Sequence, residues 1–321
     1  MEGTGKIQYV NLNNMNINTK LVKNGLKRVR ASQPFNALTT STVRWLMSVS
    51  GLQSEAVIKH LHRVGKVECK LPNGRVLKLW SRGDDWISNQ IYWRGWNGFE
   101  SEVVPLFFRL ASKSRTTLDV GSYVGLFSLL AAHANPKGRI YAFEPMPRIF
   151  KRLKRNVSLN RLRNVQCTHS AVGETEGEAV FFHIADGLPS SSSLSNEFMQ
   201  DHMQGKEKVL NSMVSVITLD RFVEENKIPS VDLMKIDTET TEPQVMRGMI
   251  KTLQRDHPHI VCEVLPGHRV EGALMEILLP LGYRFYLLTN EGAIPHEKIE
   301  AHPQWRNYFF TTLDADAVSQ L

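Results

Sequence analysis

The chain has 321 residues, 42% hydrophobic and 22% charged, with a formal net charge of +7. That is the composition of an ordinary globular protein, long enough for one large α/β domain with a smaller appendage and a substantial core. It excludes a membrane-spanning helix, because no run approaches roughly 18–20 apolar residues, and Met1–Gly25 lacks the apolar centre of a secretory signal.

Three cysteines, Cys69, Cys167 and Cys262, stand far apart and form no Cys-x-x-Cys pair. Neither a disulfide framework nor a zinc knuckle is expected, and free thiols fit a reducing cytoplasm. The charge is uneven. Residues 1–115 carry 18 Lys/Arg against 7 Asp/Glu, a net of +11, leaving −4 for the remainder. Between Gly3 and Ser54 there is no acid. Such a segment either attracts nucleic acid, an anionic membrane or a phosphorylated substrate, or is simply a solvated leader. It is rich in Asn rather than in Ser and Arg, which argues against an organelle transit peptide.

Three zones follow in chain order: a polar basic arm over 1–34, a cap over 35–115 and the main domain over 116–321. In the cap, Ala37–Ser50 and Glu55–Val64 read as helices. Lys66–Lys70 and Arg75–Trp80 are alternating strands around Pro72-Asn73-Gly74, a hairpin signal. Tyr92, Trp93 and Trp96 form an aromatic cluster that either packs the cap on the main sheet or stacks on an acceptor. Glu102–Ser112 reads as a helix. From Thr116 the pattern is strand, turn, helix, repeated. Strands are predicted at Thr116–Val120, Arg139–Phe143, Val165–His169, Val214–Thr218, Val231–Ile236 and His259–Val264. Helices are predicted at Leu126–His133, Met146–Asn160, Glu242–Gln254 and Glu271–Leu279. Arg284–Leu288 and Tyr308–Thr312 are closing strands. Alternation of this kind specifies an open, mostly parallel sheet with helices on both faces. Gly187–Gly205, polar and Ser-rich, reads as a long loop of the sort that serves as a lid.

In open α/β sheets a ligand sits beyond the carboxyl ends of the strands. The first main-domain strand ends in Asp119-Val-Gly121-Ser122-Tyr123-Val-Gly125, directly before a helix. Gly121 and Gly125 let the backbone turn tightly and approach a ligand. Glu144 ends the next strand, where a carboxylate can accept both ribose hydroxyls of an adenosine moiety. The Gly-x-Gly-x-x-Gly dinucleotide fingerprint fails, because position 123 is Tyr and position 126 is Leu. Asp-x-Gly-x-x-x-Gly with an acid one strand later suits a ligand bearing an amino acid and no phosphate.

These residues resemble the FkbM-type methyltransferase family. The likeness runs through Asp119–Ser128, Ala142-Phe-Glu-Pro145, Asn156-Val-Ser-Leu-Asn160, Ala171-Val172, Thr218-Leu-Asp220, Val231–Glu239, Glu242, Arg247-Gly248 and Val261-Cys-Glu263. It covers about Val67 to Glu263. The resemblance implies the class I methyltransferase fold, a Rossmann-like, mostly parallel seven-stranded sheet with helices on both faces, here with a small N-terminal α+β cap. It also implies S-adenosylmethionine as cofactor, with contacts from Asp119, Gly121, Ser122, Tyr123, Gly125, Glu144, Pro145 and Ala171. The implied reaction is methyl transfer to a hydroxyl of a small molecule or glycan. Two positions depart from the family's pattern: Tyr123 stands where Asn is usual, and Thr240 where Gly is usual. The first is expected to alter cofactor contacts, the second to stiffen a loop.

Methyl transfer from a sulfonium needs alignment of the nucleophile and removal of its proton. Lys235, Asp237 and Glu239 alternate onto one side of a strand end, and Glu242 opens the next helix. Asp237 or Glu239 is the candidate general base, with Lys235 orienting the acceptor or stabilising its nascent alkoxide. The alternative is a salt-bridged loop. Asp237, Glu239, Glu242 and Glu263 also make an oxygen set a hard cation would accept, although no metal is assigned. The histidines show no ligand spacing; His183 and His202 flank the Ser-rich loop. A nucleic-acid substrate is not expected, since no Asn-Pro-Pro-Tyr-type motif or aromatic-interleaved basic face is present. RNA methylation and non-catalytic binding by a retained fold are the rival readings.

Overall fold

The computed structural model describes residues 32–51, 54–184, 188, 192–203 and 209–321. The arm expected over 1–34 lies, up to residue 31, outside the described residues, and so do the side chain of His202 and parts of the 187–205 segment. Helix Gln33–Ser50 begins with Pro34 in its first turn and stops at Gly51, whose φ is 69°. Helix Glu55–His60, capped by Ser54, ends four residues short of the sequence expectation. Strands β1 (Val64–Lys70) and β2 (Val76–Arg82) pair antiparallel across the expected turn. Helices Trp86–Arg94 and Val104–Lys113 complete the cap; the first, capped by Asp85, holds Tyr92 and Trp93, and Trp96 follows its end.

Strands β3 (Thr116–Val120), β4 (Arg139–Phe143) and β5 (Val165–Thr168) lie parallel and adjacent. Strands β6 (Ala171–Val172), β7 (Gly177–Ile184), β8 (Ser192–Ser193) and β9 (Val209–Ile217) then leave the main layer and form a small sheet in the order β6-β9-β7-β8. Strands β10 (Leu233–Ile236), β11 (His259–Glu263), β12 (Arg284–Thr289), β13 (Gly292–His296) and β14 (Asn307–Thr311) return to it, giving β13-β12-β14-β11-β10-β3-β4-β5. The five parallel strands β5, β4, β3, β10 and β11 run together, and β14 inserts antiparallel between β11 and β12.

This is the strand order of the class I methyltransferase sheet, with one addition. The main sheet has eight strands rather than the expected seven, because β12 folds back through a short turn onto β13. Pro295 is tolerated on β13 because that strand is the outer edge, where no further ladder needs its missing N–H. Val214–Thr218, expected among the main strands, belongs instead to β9. Its alternating burial, with Met213 60% exposed, marks a half-solvated antiparallel pair, whereas β3 and β14 are buried throughout. Glu242–Gln254 is two helices, Glu242–Arg247 and Ile250–Asp256. The break falls at Gly248, where a Cβ would lie 2.0 Å from the Gly173 carbonyl oxygen.

Two hydrophobic cores cover the two faces of the sheet. One takes Leu118, Val120, Met234, Ile236 and Ile260 together with the helices that follow β9, β10 and β11. The other joins Ile140, Leu233 and Val261 to Leu129, Phe107, Leu79 and Ile91, so the cap and the main domain share it. Tyr92, Trp93 and Trp96 pack against that shared core.

A polar zipper fixes the hairpin to helix Pro147–Leu159. Arg152, Asn156 and Asn160 are spaced four apart and therefore share one helix face. Arg152 donates to the Trp80 carbonyl at 2.9 Å and pairs with Asp84 and Asp85. The Asn156 amide accepts from Trp80 N–H at 2.8 Å and donates to the Val124 carbonyl at 2.8 Å. Asn160 both accepts from and donates to the Lys78 backbone. These side chains occupy the free edge of β2, which would otherwise be unpaired. Asn156→Leu should therefore destabilise the chain by about 1–3 kcal/mol, because the Trp80 and Val124 groups lose buried partners. Chemical denaturation checks this; an unchanged midpoint would show that water replaces the amide.

Candidate active site

The carboxyl ends of β3, β4, β10 and β11 open on one cleft which, with its mouth, encloses about 1120 Å³. Its floor is the β3 turn. Gly121 has φ 78°, and a Cβ there would fall 1.8 Å from the Asp237 carbonyl oxygen, so only glycine lets the ends of β3 and β10 come together. Gly121, Ser122, Tyr123, Glu144, Pro145 and Ala171 all line the cleft. Asp119 and Gly125 do not. Asp119 turns the other way, and its Oδ2 accepts from both the N–H and the hydroxyl of Ser128, fixing the start of helix Leu126–Ala134. Gly125 is backed by Leu153.

Glu144 is almost fully buried; its Oε2 accepts from Tyr123 N–H at 3.1 Å and its Oε1 from Met146 N–H at 2.7 Å. Each oxygen keeps a lone pair for a further donor. Burial pushes its carboxyl up to about 8 despite those two bonds. The cleft has apolar walls that include Phe143, Val172, Phe181, Trp86, Ile87 and Phe99. Tyr123 donates its hydroxyl to the Leu188 carbonyl at 3.2 Å.

At the opposite end stand the acids. Asp237, Glu239 and Glu263 line the cleft and can bring their carboxylate oxygens within 4.8 Å of one another, an arrangement able to hold a hard cation. Lys235 and Glu242, expected in the same group, lie behind the lining. Lys235 is 1% exposed, with Nζ 3.3 Å from Asp237, 3.2 Å from the Asn307 amide oxygen and 3.7 Å from Glu100. Burial alone would lower its pKa, but Glu100, Asp237 and Glu263 outweigh it and hold the ammonium well above the ordinary lysine value. Glu242 accepts through Oε1 from the N–H and hydroxyl of Thr238 and from Thr240 N–H. It ties the 238–240 loop, and burial raises its carboxyl to about 7. Burial and the neighbouring carboxylates push Glu239 and Glu263 well above the usual carboxylate range.

Sequence reasoning missed Glu100, Trp86, Phe99 and Phe181. Glu100 sits in the turn before helix Val104–Lys113, where no periodicity marks it, and burial lifts its carboxyl to about 7. The Asp85 cap could have signalled the helix that carries Trp86. The described part of the Ser-rich segment is not a bare loop. It holds β8 and helix Asn196–Met203, Ser192 and Leu194 line the cleft, and Ser193 donates to the Glu239 carbonyl at 2.6 Å. His183 is buried on β7, bonded to Ser212 at 3.0 Å, and does not line the cleft.

A strand order of this kind, with an acid after the second parallel strand and a glycine turn after the first, defines a class I methyltransferase-like protein. Residues 119–309 match the model of the Methyltransferase FkbM domain, and the chain belongs to that family. The 31-O-demethyl-FK506 methyltransferase FkbM of Streptomyces tacrolimicus is 28% identical over 196 residues, covering 54% of this chain and 73% of that protein. The hexuronic acid methyltransferase AglP of Haloferax volcanii is 27% identical over 159 residues, covering 48% and 58%. Methyltransferase 1 of Beauveria bassiana is 28% identical over 144 residues, covering 41% and 57%, so the match to these last two spans little more than half their length. Among solved structures, the FkbM methyltransferase of Methylobacillus flagellatus aligns with a TM-score of 0.40 at 13% identity, over 62% of this chain and 43% of that one.

Both departures from the family's pattern fall on left-handed backbone. Tyr123 has φ 49° and Thr240 φ 80°, next to Glu239 at 54°. Asn and Gly are the residues such backbone favours, and a β-branched Thr at positive φ is strained by about 1–3 kcal/mol. Thr240→Gly should raise stability by about 1 kcal/mol, a gain visible in the denaturation midpoint. A loss instead would mean that the Thr240 side chain is itself stabilising.

The raised carboxyls also set a pH dependence. Glu144, Glu242, Glu100 and Asp119, the last lifted to about 6 by burial, bind protons more tightly folded than unfolded. The stability these four groups contribute therefore falls as pH rises from the unfolded value of 4.5 for Glu towards about 8, where the contribution of Glu144 is lost. The thermal midpoint of the ligand-free chain should drop across that window, and Glu144→Gln should flatten its upper part. A midpoint that rises with pH would contradict this assignment.

Proposed function

We propose that the chain is an S-adenosylmethionine-dependent methyltransferase whose acceptor is a hydroxyl oxygen of a small molecule or sugar. The observation that carries the reading is that one cleft joins Glu144, just after β4, to Asp237 and Glu239, just after β10, and to Glu263 at the end of β11, across the bare Gly121 turn. Glu144 has lone pairs left for two ribose hydroxyls, and the apolar walls beside it suit an adenine. The cofactor would therefore be held by Glu144, Gly121, Ser122, Tyr123, Pro145 and Ala171, and it supplies an electrophilic methyl group. Asp119 and Gly125 act one step back, by holding the turn and the helix behind it.

The acceptor hydroxyl belongs at the acidic end. Asp237 is the proposed base, assisted by Glu239 and Glu263, and the proton taken belongs to the cluster rather than to one residue. Lys235 does not reach the cleft. It is a positioning residue, holding Asp237 Oδ2 and leaving the other oxygen for the hydroxyl. A sugar or other polyhydroxylated acceptor agrees with a relative named for a hexuronic acid.

Calorimetry should detect S-adenosylhomocysteine binding that weakens about a hundredfold in Glu144→Ala. Asp237→Asn should cut kcat by about 10²–10⁴-fold while leaving that affinity intact. Chelation should not change turnover; a strict Mg²⁺ requirement would show that the three carboxylates hold a cation. Absence of affinity for both S-adenosylmethionine and its product overturns the proposal. Affinity without turnover on any hydroxylated compound would favour a binding role.

A further inference from the structure

Helix Gln33–Ser50 is built inside out. The side it turns to the protein is polar: Asn36 donates to the His62 carbonyl at 2.9 Å and accepts from Val64 N–H at 2.7 Å. Arg63 donates to the Ala37 carbonyl at 2.7 Å and to the Thr40 hydroxyl at 2.8 Å, and Arg44 lies over the Tyr92 ring. Asn36 and Thr40 are the helix's buried residues. The apolar side faces outward, with Phe35 45%, Leu38 68%, Trp45 63%, Leu46 52% and Val49 69% exposed. At 3.6 residues per turn these five form one stripe about 100° wide, the width of a core-facing face, yet no described residue covers it.

The sequence beside the helix indicates what covers it. Lys20, Lys23, Lys27, Arg28 and Arg30 precede it within eleven residues, and no acid occurs from Gly3 to Ser54. We propose that this helix lies in the interface of an anionic lipid bilayer, its apolar stripe among the acyl chains. A bilayer of that charge supplies both an apolar layer and a negative surface. A tryptophan within the stripe suits the headgroup boundary. A second copy of the chain would answer the apolar stripe but would set two basic segments against each other. A nucleic acid would answer the charge but leave the stripe in water.

Flotation of the full chain with vesicles tests this, comparing phosphatidylcholine alone with phosphatidylcholine containing phosphatidylglycerol. Binding should be to the anionic vesicles, weaken with salt, and fall at least about tenfold in Leu38→Glu and in Trp45→Glu. Both positions are solvent-facing, so both variants should keep the thermal midpoint and S-adenosylhomocysteine affinity of the parent. Acyl-chain brominated lipid should quench tryptophan emission in the parent and not in Trp45→Phe. Failure to float with anionic vesicles overturns the proposal, as does a dimer in lipid-free solution that Leu38→Glu splits. RNA retention without vesicle binding overturns it too.

Discussion

A single buried positive charge organises the acidic end of the cleft. Lys235 stands on a central strand, 1% exposed, where an unpaired ammonium would be prohibitively costly. It is kept charged by Glu100 from the turn before helix Val104–Lys113, by Asp237 from its own strand end and by Glu263 from β11. Three separate stretches of chain must converge for that lysine to be buried, so folding itself assembles the cluster. The carboxylates outnumber the cation. Burial, together with Asp237 and the other neighbouring carboxylates, therefore makes Glu239 and Glu263 hold their protons well above the ordinary range. The raised proton affinity of these acids thus follows from the packing around Lys235, without a specialised residue.

The opposite end depends on backbone contact rather than charge. Gly121 allows the β3 turn to touch the Asp237 carbonyl, which couples the glycine turn directly to the acidic loop. Asn156 extends the coupling outward, holding the Val124 carbonyl of the same turn with one end of its amide and the β2 edge with the other. The β1–β2 hairpin is therefore tied to the loop that forms the floor of the cleft, and it shares a hydrophobic core with the main sheet. Of the two asparagines in the stretch of likeness, Asn156 thus supports the turn at the floor of the cleft, while Asn160 holds the hairpin through Lys78.

Much of the main sheet was legible because a parallel strand buried on both faces is a short continuous apolar run before a turn and a helix. Thr116–Val120 and Arg139–Phe143 were placed to the residue for that reason. The small sheet was not legible. In β7, Gly177–Ile184, Glu178 and His183 interrupt the apolar positions, and its partner β9 lies beyond the Ser-rich segment. At the site, the place of Glu144 in the cleft could be read because it depends only on ending a strand. Spacing does not tell whether Asp119 faces the cleft or the helix behind it; its carboxylate bonds Ser128 of that helix and does not line the cleft. Alternation correctly put Lys235 beside Asp237 but not its depth, since the partners that bury it, Glu100 and Asn307, are distant in sequence.

Tyr123 and Thr240 show how a departure from a family pattern becomes a physical statement once φ is known. Each occupies left-handed backbone beside an acid that lines the cleft, Tyr123 bonded to Glu144 and Thr240 next to Glu239. The chain keeps the strained conformation at both places although neither residue favours it, so the surrounding contacts over-determine the loops. Those contacts are visible. Glu144 accepts the Tyr123 N–H, and Leu188 accepts the Tyr123 hydroxyl. Glu242 accepts the Thr240 N–H, and Ser193 holds the Glu239 carbonyl. The buried carboxylates Glu144 and Glu242 thus hold the two turns in shape, and the raised proton affinity of each is the electrostatic consequence of placing a carboxylate where it can do so.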